Sequence, residues 1–260
     1  MKANNEYENK NYLKAIEYLD KIGCEDEFYD FSQIIKSSCL MNLERFDDAL
    51  KIIDGLLVKE EFSALLWMNK VRCHVFLDES DQAIKALTNL EDIIDKTDKS
   101  LLVQVARLNF LVDDYDKALK YCNDALEIDS KFKEALYEKA IVVMAIGDDE
   151  QITEVSNRML ELEDEGGLKY FPVFLMNLFS KNYRYCLDLV EGIDSDVLDD
   201  EHIEMFKAII YNEICEENCV NLLVVNGEEL PIDDVLGIML DFVEKGKDSG
   251  EIDGVHYFVI

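Results

Sequence analysis

The chain has 260 residues, and its 57 acidic against 26 basic side chains give a formal net charge of −31. A surface this acidic repels phosphate, so nucleic acid and anionic membranes are poor partners on charge grounds and neither is expected. Only two prolines and eleven glycines occur, as in a mostly helical chain, and the apolar content is ample for a continuous core.

Residues 1–22 read as a short first helix ending near Glu8 and a full second helix. Helix pairs follow over about 30–58, 62–95, 99–129, 133–163 and 168–193, with apolar residues three and four apart, the spacing of helices and not of strands. Gly166-Gly167 marks a break before the last pair. The first helix of that pair contains Pro172, which is tolerated in a first turn but not deeper, so the helix is expected to start between 168 and 171. An acidic loop comes after residue 193, then a helix over about 199–215. Residues 220–225 form a short β-rich run that reads either as a strand or as a helix end. Residues 230–245 read as an amphipathic helix with Val235, Ile238, Met239 and Phe242 on one face. Asp253-Gly254 between β-type residues is a hairpin signal.

Alanine marks the period of the helix pairs: Ala15, Ala49, Ala83 and Ala118 stand 34, 34 and 35 residues apart. Two further steps of 34 reach Ile152 and Cys186, in segments built the same way. A fixed period of this size signals a stack of like supersecondary units. The small side chain belongs where two helices cross closely, since a larger one would block the approach.

The unit over 99–132 carries the clearest likeness to a known family. Asp114-Tyr115-Asp116-Lys117-Ala118 and Ala125-Leu126-Glu127-Ile128-Asp129, with Trp67 early in a first helix and the turn glycine Gly147, resemble the tetratricopeptide repeat. The likeness covers roughly residues 11–193. The helix glycine of that family is replaced by Ser37, Val71, Ala106, Ala140 and Phe174, and the terminal proline by Ser130 and Asp164, so a divergent array is expected. The fold class implied is all-α: a right-handed superhelical solenoid of about six helix-turn-helix repeats over 1–193, the first truncated, with a C-terminal helical cap and β-hairpin over 194–260. The tail after residue 240 also loosely resembles the end of a winged-helix domain; its Lys245 and Lys247 stand among five acidic residues, which argues against DNA.

No phosphate-binding glycine loop, nucleophile elbow or metal-binding helix motif is present, and no nucleophile, base and orienter form a set, so no enzyme activity, cofactor or metal is expected. His74 falls on a packed helix face and reads as a hydrogen-bonded core residue. Cys215, Cys219 and His202 lack a known zinc-ligand spacing, and Asp194, Asp196, Asp199 and Asp200 lack the glycine and intervals of a calcium loop. Seven cysteines without a Cys-x-x-Cys pair suit a reducing, cytoplasmic setting. The N-terminal MKANNEYENK lacks the apolar core of a signal peptide, and no stretch is long and apolar enough to span a bilayer.

One pattern on the first helices points to function. Met68, Arg72 and Val75 share a face, and the same places recur as Val103, Arg107, Phe110, then Tyr137, Ile141, Met144, then Phe171, Leu175, Leu178. In the family resembled these places line the concave wall; read as packing, they would instead sit between neighbouring helices. The packing face is already supplied by Trp67, Val71, His74, Leu102 and Ala106, and a second apolar stripe has to be covered by something. Arg72 and Arg107 suit carboxylates of a bound segment, or else pair with the chain's own Asp113 or Asp114. The family's clamp for a C-terminal carboxylate is not matched: its places hold Ile34, Ser38, Asn69, Ser100 and Gln104, of which only Asn69 fits. The expected function is that of a non-catalytic scaffold or adaptor holding a protein or peptide segment in an apolar groove. The alternative is self-association, with a homodimer formed through the groove or the C-terminal tail.

Overall fold

A computed structural model describes residues 2–163, 169–193, 200–218, 222–224, 235–237, 239–240, 249–252 and 255–259. The chain forms two compact units, Met1–Val142 and Val143–Ile260.

The first unit is a stack of helix hairpins: α1 (Lys2–Glu8) with α2 (Tyr12–Leu19), α3 (Tyr29–Asn42) with α4 (Phe46–Leu57), α5 (Ala64–Phe76) with α6 (Ser80–Ile93), and α7 (Lys99–Leu111) with α8 (Tyr115–Ile128). Helix α2 packs on α3, α4 on α5 and α6 on α7, and first helices also touch one another, α3 on α5 and α5 on α7. Helix α9 (Lys133–Ile146) carries the boundary between the units. The second unit continues with α10 (Asp149–Leu160), α11 (Tyr170–Phe179), α12 (Tyr183–Glu191) and α13 (Asp200–Asn218). Pro172 stands in the first turn of α11, where its missing N–H costs no helical bond. Helix α13 extends three residues past the expected end at 215.

The turns are as periodic as the helices. Lys10, Glu44, Asp78, Asp113, Gly147 and Lys181 all have positive φ, between 56° and 75°. In each case the next residue's N–H reaches back to a carbonyl five positions earlier: Arg45 to Leu40 at 2.9 Å, Glu79 to His74 at 2.9 Å, Asp114 to Asn109 at 2.9 Å and Asn182 to Asn177 at 2.8 Å. This is the left-handed helix stop that glycine favours, yet only one of the six positions is glycine. Asp98, Asp114 and Asp148 then open α7, α8 and α10 by accepting backbone N–H bonds on their side chains.

All six ladder positions, Ala15, Ala49, Ala83, Ala118, Ile152 and Cys186, are fully buried. In the first unit Leu40, Ile53, Leu56, Leu66 and Cys73 pack around Ala49 in one cluster. Polar bridges tie consecutive hairpins at their margins: Lys36 to Asp20 at 2.5 Å and, 34 residues later, Lys70 to Asp54 at 2.7 Å. Glu91 accepts from both Asn109 Nδ2 at 3.1 Å and Lys117 Nζ at 3.0 Å.

In the second unit Phe174 stacks on Phe206 with ring centres 4.3 Å apart. Around them Leu187, Val190, Ile210 and Ile214 close with Leu236, Met239 and Leu240. This cluster spans residue 193, so the last hairpin and the segment after it share one core, and α13 packs where a further first helix would lie. Residues 235–237 and 239–240 are helical, inside the helix expected over 230–245. The ambiguous run at 220–225 contains strand β1 (Leu222–Val224). β3 (Val255–Val259) lies between β1 and β2 (Ser249–Ile252), antiparallel to both, in registers pairing Leu223 with Phe258 and Glu251 with His256. The backbone is therefore mainly helical but not wholly so. The Asp253-Gly254 turn, the 241–248 segment, Cys219, Gly166-Gly167 and the acidic loop at 194–199 lie outside the described residues.

Candidate functional site

The first helices of the stack each present a row of side chains at helical spacing. On α5 the row is Leu65, Met68, Arg72 and Val75 or Phe76; on α7 it is Ser100, Val103, Arg107 and Phe110 or Leu111; on α9 it is Glu134, Tyr137 and Ile141. The rows divide into two layers. Met68 and Val103 are 5% exposed and belong to the packing between helices, not to an accessible wall. Arg72, Val75 and Phe110 are half-buried, and Arg107, Tyr137 and Ile141 reach solvent, with Ile141 47% exposed. Met68 and Val103 lie a turn before the arginines on their helices.

In the second unit Met144 is half-buried, Phe171 is exposed, and Leu178 is buried in the α11–α13 cluster with Leu175 packed against it. Phe171 leans on Phe206 at 6.3 Å. The α13 helix thus takes up part of the α11 row, and Leu178 too is a packing residue.

The two arginines differ. Arg107 donates from Nε at 2.8 Å and Nη2 at 2.7 Å to one oxygen of Glu138, whose side chain is 2% exposed while Arg107 is 55% exposed. The internal partner is therefore a buried carboxylate on α9, not the aspartates of the nearby turn. Asp113 instead accepts from the Tyr115 hydroxyl at 2.9 Å, and Asp114 caps α8. Arg72 has no hydrogen bond or ion pair among the described residues. Burial and then the nearby Arg107 charge both pull its pKa below the ordinary arginine value. The guanidinium nevertheless stays charged at any working pH.

One aromatic feature has no counterpart in the sequence pattern. Phe46 and Phe76 stack with ring centres 5.0 Å apart and planes 6° from parallel, although Phe76 is 65% exposed. With Met41, Asn42 and Glu44 they line a hollow of about 570 Å³. Phe76 follows Arg72 by one turn of α5. Its exposure was invisible to period counting because it lies next to the core position Cys73 and reads as the end of a packed face.

The remaining candidate chemistry is structural. His74 is 9% exposed and its Nδ1 lies 2.6 Å from Glu79 Oε2. Asn69 is 4% exposed, so the one clamp-like residue is not available to a ligand. Burial raises the thiols of Cys39 to about 11 and of Cys73, Cys122 and Cys186 to about 12. At neutral pH they are protonated and unreactive. Among the described residues no group of His, Cys, Asp and Glu could hold a metal ion, and no helix is long and apolar enough to cross a membrane.

No family model matches the sequence, and no curated protein does. The structure is similar to a tetratricopeptide repeat protein from Parabacteroides merdae, at 11% identity and TM-score 0.55, covering 92% of this chain and 96% of that one. It is also similar to the APC/C hetero-tetramer Cut9–Hcn1, at 11% identity and TM-score 0.52, covering 92% of this chain and 48% of that one. At this identity the likeness is one of architecture, and the chain shares the stacked helix-hairpin fold of tetratricopeptide repeat proteins.

Proposed function

We propose that the chain is a non-catalytic interaction scaffold, and that the first-helix face of its N-terminal unit holds a segment of a partner protein. The observation that carries this reading is the row on α5, α7 and α9 after its packing layer has been set aside. Ile141, Tyr137, Leu65, Phe76 and Leu111 remain at least one-third exposed on helices that already have a complete buried face. Exposed apolar groups gathered on one face, interspersed with arginines on an acidic protein, have the composition of an interface. The Cut9–Hcn1 structure, a hetero-tetramer, gives the same fold in an assembly. A chain in this role needs no cofactor or nucleic acid, and its cysteines, without a Cys-x-x-Cys pair, suit a reducing, cytoplasmic setting.

Ile141→Glu is the direct test. Its side chain is exposed, so the helix content and the unfolding midpoint should stay at wild-type values while partner binding falls. Arg107→Glu is a poorer probe, because it would set a second carboxylate against buried Glu138. Unchanged binding by Ile141→Glu would move the interface off this face.

Self-association through the tail is the second reading, and use of the tail within the chain is its counterpart. Both edges of β3 are paired, to β1 and β2, so this strand offers no free edge to a second copy. On this reading residues 194–260 cap the repeat array. Deleting 247–260 should then cause aggregation or change the oligomeric mass, and a soluble, equally stable truncation of unchanged mass argues against the cap.

A further inference from the structure

The repeat supplies Arg107 with a carboxylate and leaves Arg72 without one. Arg107 reaches from α7 to Glu138 on α9. The place that corresponds to Glu138 one repeat earlier, 34 residues before it, is Gln104 on α7. Gln104 is uncharged and half-buried, and its side chain makes no hydrogen bond among the described residues. Arg72, one repeat before Arg107, therefore has an uncharged amide where Arg107 has a carboxylate. A half-buried guanidinium loses hydration and gains nothing in return unless a carboxylate arrives.

The charge balance defines the chemistry of what would arrive. Arg107 is offset by Glu138 while Arg72 keeps its charge, and a single uncompensated guanidinium suits a monoanionic carboxylate better than a dianionic phosphate. The guanidinium lies in the middle of the row. Leu65 is one-half exposed on the N-terminal side of it, Phe76 and the Phe46–Phe76 hollow are one turn to the other side, and Phe31 and Ile141 occupy the corresponding faces of α3 and α9. Apolar surface to either side of Arg72 along α5 suits a carboxylate in mid-segment, with chain continuing both ways, and not a chain terminus.

We infer that Arg72 is the specificity point of this face: it takes the side-chain carboxylate of an Asp or Glu within an otherwise apolar partner segment, whose neighbouring bulky side chain enters the hollow beside Phe46 and Phe76. The inference rests on the reading of the first-helix face as a partner site and names the chemistry of that partner. It also runs against the global field of the molecule, because a chain of net charge −31 should on average select basic peptides.

The test uses the full chain and a phage-displayed library of random peptides. Enriched sequences are resynthesised with acetylated and amidated ends, which removes the terminal charges, and again with each Asp or Glu changed to Asn or Gln. Binding is read by fluorescence anisotropy. The expected result is enrichment of one acidic residue beside an aromatic or large aliphatic one, with about tenfold weaker binding on amide substitution, the scale of a charge-assisted hydrogen bond. In Arg72→Gln that difference should vanish. In Gln104→Glu it should vanish as well, because the new carboxylate gives Arg72 the internal partner that Glu138 gives Arg107. Enrichment of neutral or basic peptides, or an acid-to-amide ratio unchanged in both variants, overturns the inference. If those peptides still lose binding on Ile141→Glu, the face reading survives alone. If no peptide is enriched, or all are indifferent to Ile141→Glu, both readings fall together.

Discussion

Removing the guanidinium of Arg107 should destabilise the N-terminal unit although that side chain is more than half exposed. The reason is its partner. Glu138 is 2% exposed and one of its oxygens receives both the Nε and the Nη2 of Arg107, at 2.8 and 2.7 Å. Breaking a fully buried pair from one side costs about 3–5 kcal/mol, because the remaining charge stays desolvated. Exposed pairs contribute only about 0–1 kcal/mol. Here one partner is buried and the other wet, and water can follow the truncated side chain inwards, so Arg107→Ala should cost about 2 kcal/mol, between those limits. Glu138→Gln removes the buried charge itself and should cost about 1 kcal/mol. The double variant should be no worse than Arg107→Ala alone, giving a coupling of about 1 kcal/mol in a double-mutant cycle. Urea unfolding followed by tryptophan fluorescence is well placed to read it. Trp67 is the only tryptophan and sits on α5 of the same unit, so the signal reports that unit and not the other. Wild-type stability of Arg107→Ala, or strictly additive single effects, would show that Glu138 is solvated without its arginine and that the pair has no structural role.

Ala118 is fully buried on α8, which packs against α7, so Ala118→Leu should overpack that crossing and cost about 1–3 kcal/mol; a variant that melts with the wild type would refute the assigned repeat register. Glu44 holds φ of 57° in the α3–α4 turn, and Glu44→Gly should raise the thermal midpoint of the first unit, with a gain of about 0.5–1 kcal/mol from relief of the left-handed strain net of glycine's entropy. Of the five cysteines whose side chains are described only Cys24 is exposed, so iodoacetamide at neutral pH should label Cys24 and leave Cys39, Cys73, Cys122 and Cys186 unmodified until urea is added. Those four thiols have folded pKa values raised above the unfolded value, so the unfolded chain releases its protons first as pH rises. Their contribution is complete at neutral pH and declines from about pH 9 towards 11–12, and the urea midpoint should fall across that interval.

The repeat was legible in the sequence because close helix crossings demand small side chains at fixed intervals. Ala15, Ala49, Ala83 and Ala118 mark that demand, and all four are fully buried. The extents of the helix pairs followed from the same period, and the start of α11 followed from Pro172, since proline restricts its own place in a helix. What period counting cannot see is depth. Met68, Val103 and Leu178 share helical spacing with Arg72, Ile141 and Leu175, yet they are buried, because spacing fixes the angle around a helix and not what the neighbouring helices cover. The left-handed turns at Glu44, Asp78 and Asp113 were hidden for a related reason: none is glycine, and the conformation is imposed by the two helices that the turn must join. The fate of each arginine was least legible of all. Arg72 and Arg107 occupy the same place in consecutive repeats, and the sequence offers nearby aspartates to both. Only the packing of α9 against the stack brings Glu138 to Arg107, while the corresponding place near Arg72 holds Gln104. Local sequence sets the period and the helices; which charges meet across separate repeats is decided by tertiary contact, because the partners lie some thirty residues apart and no local rule connects them.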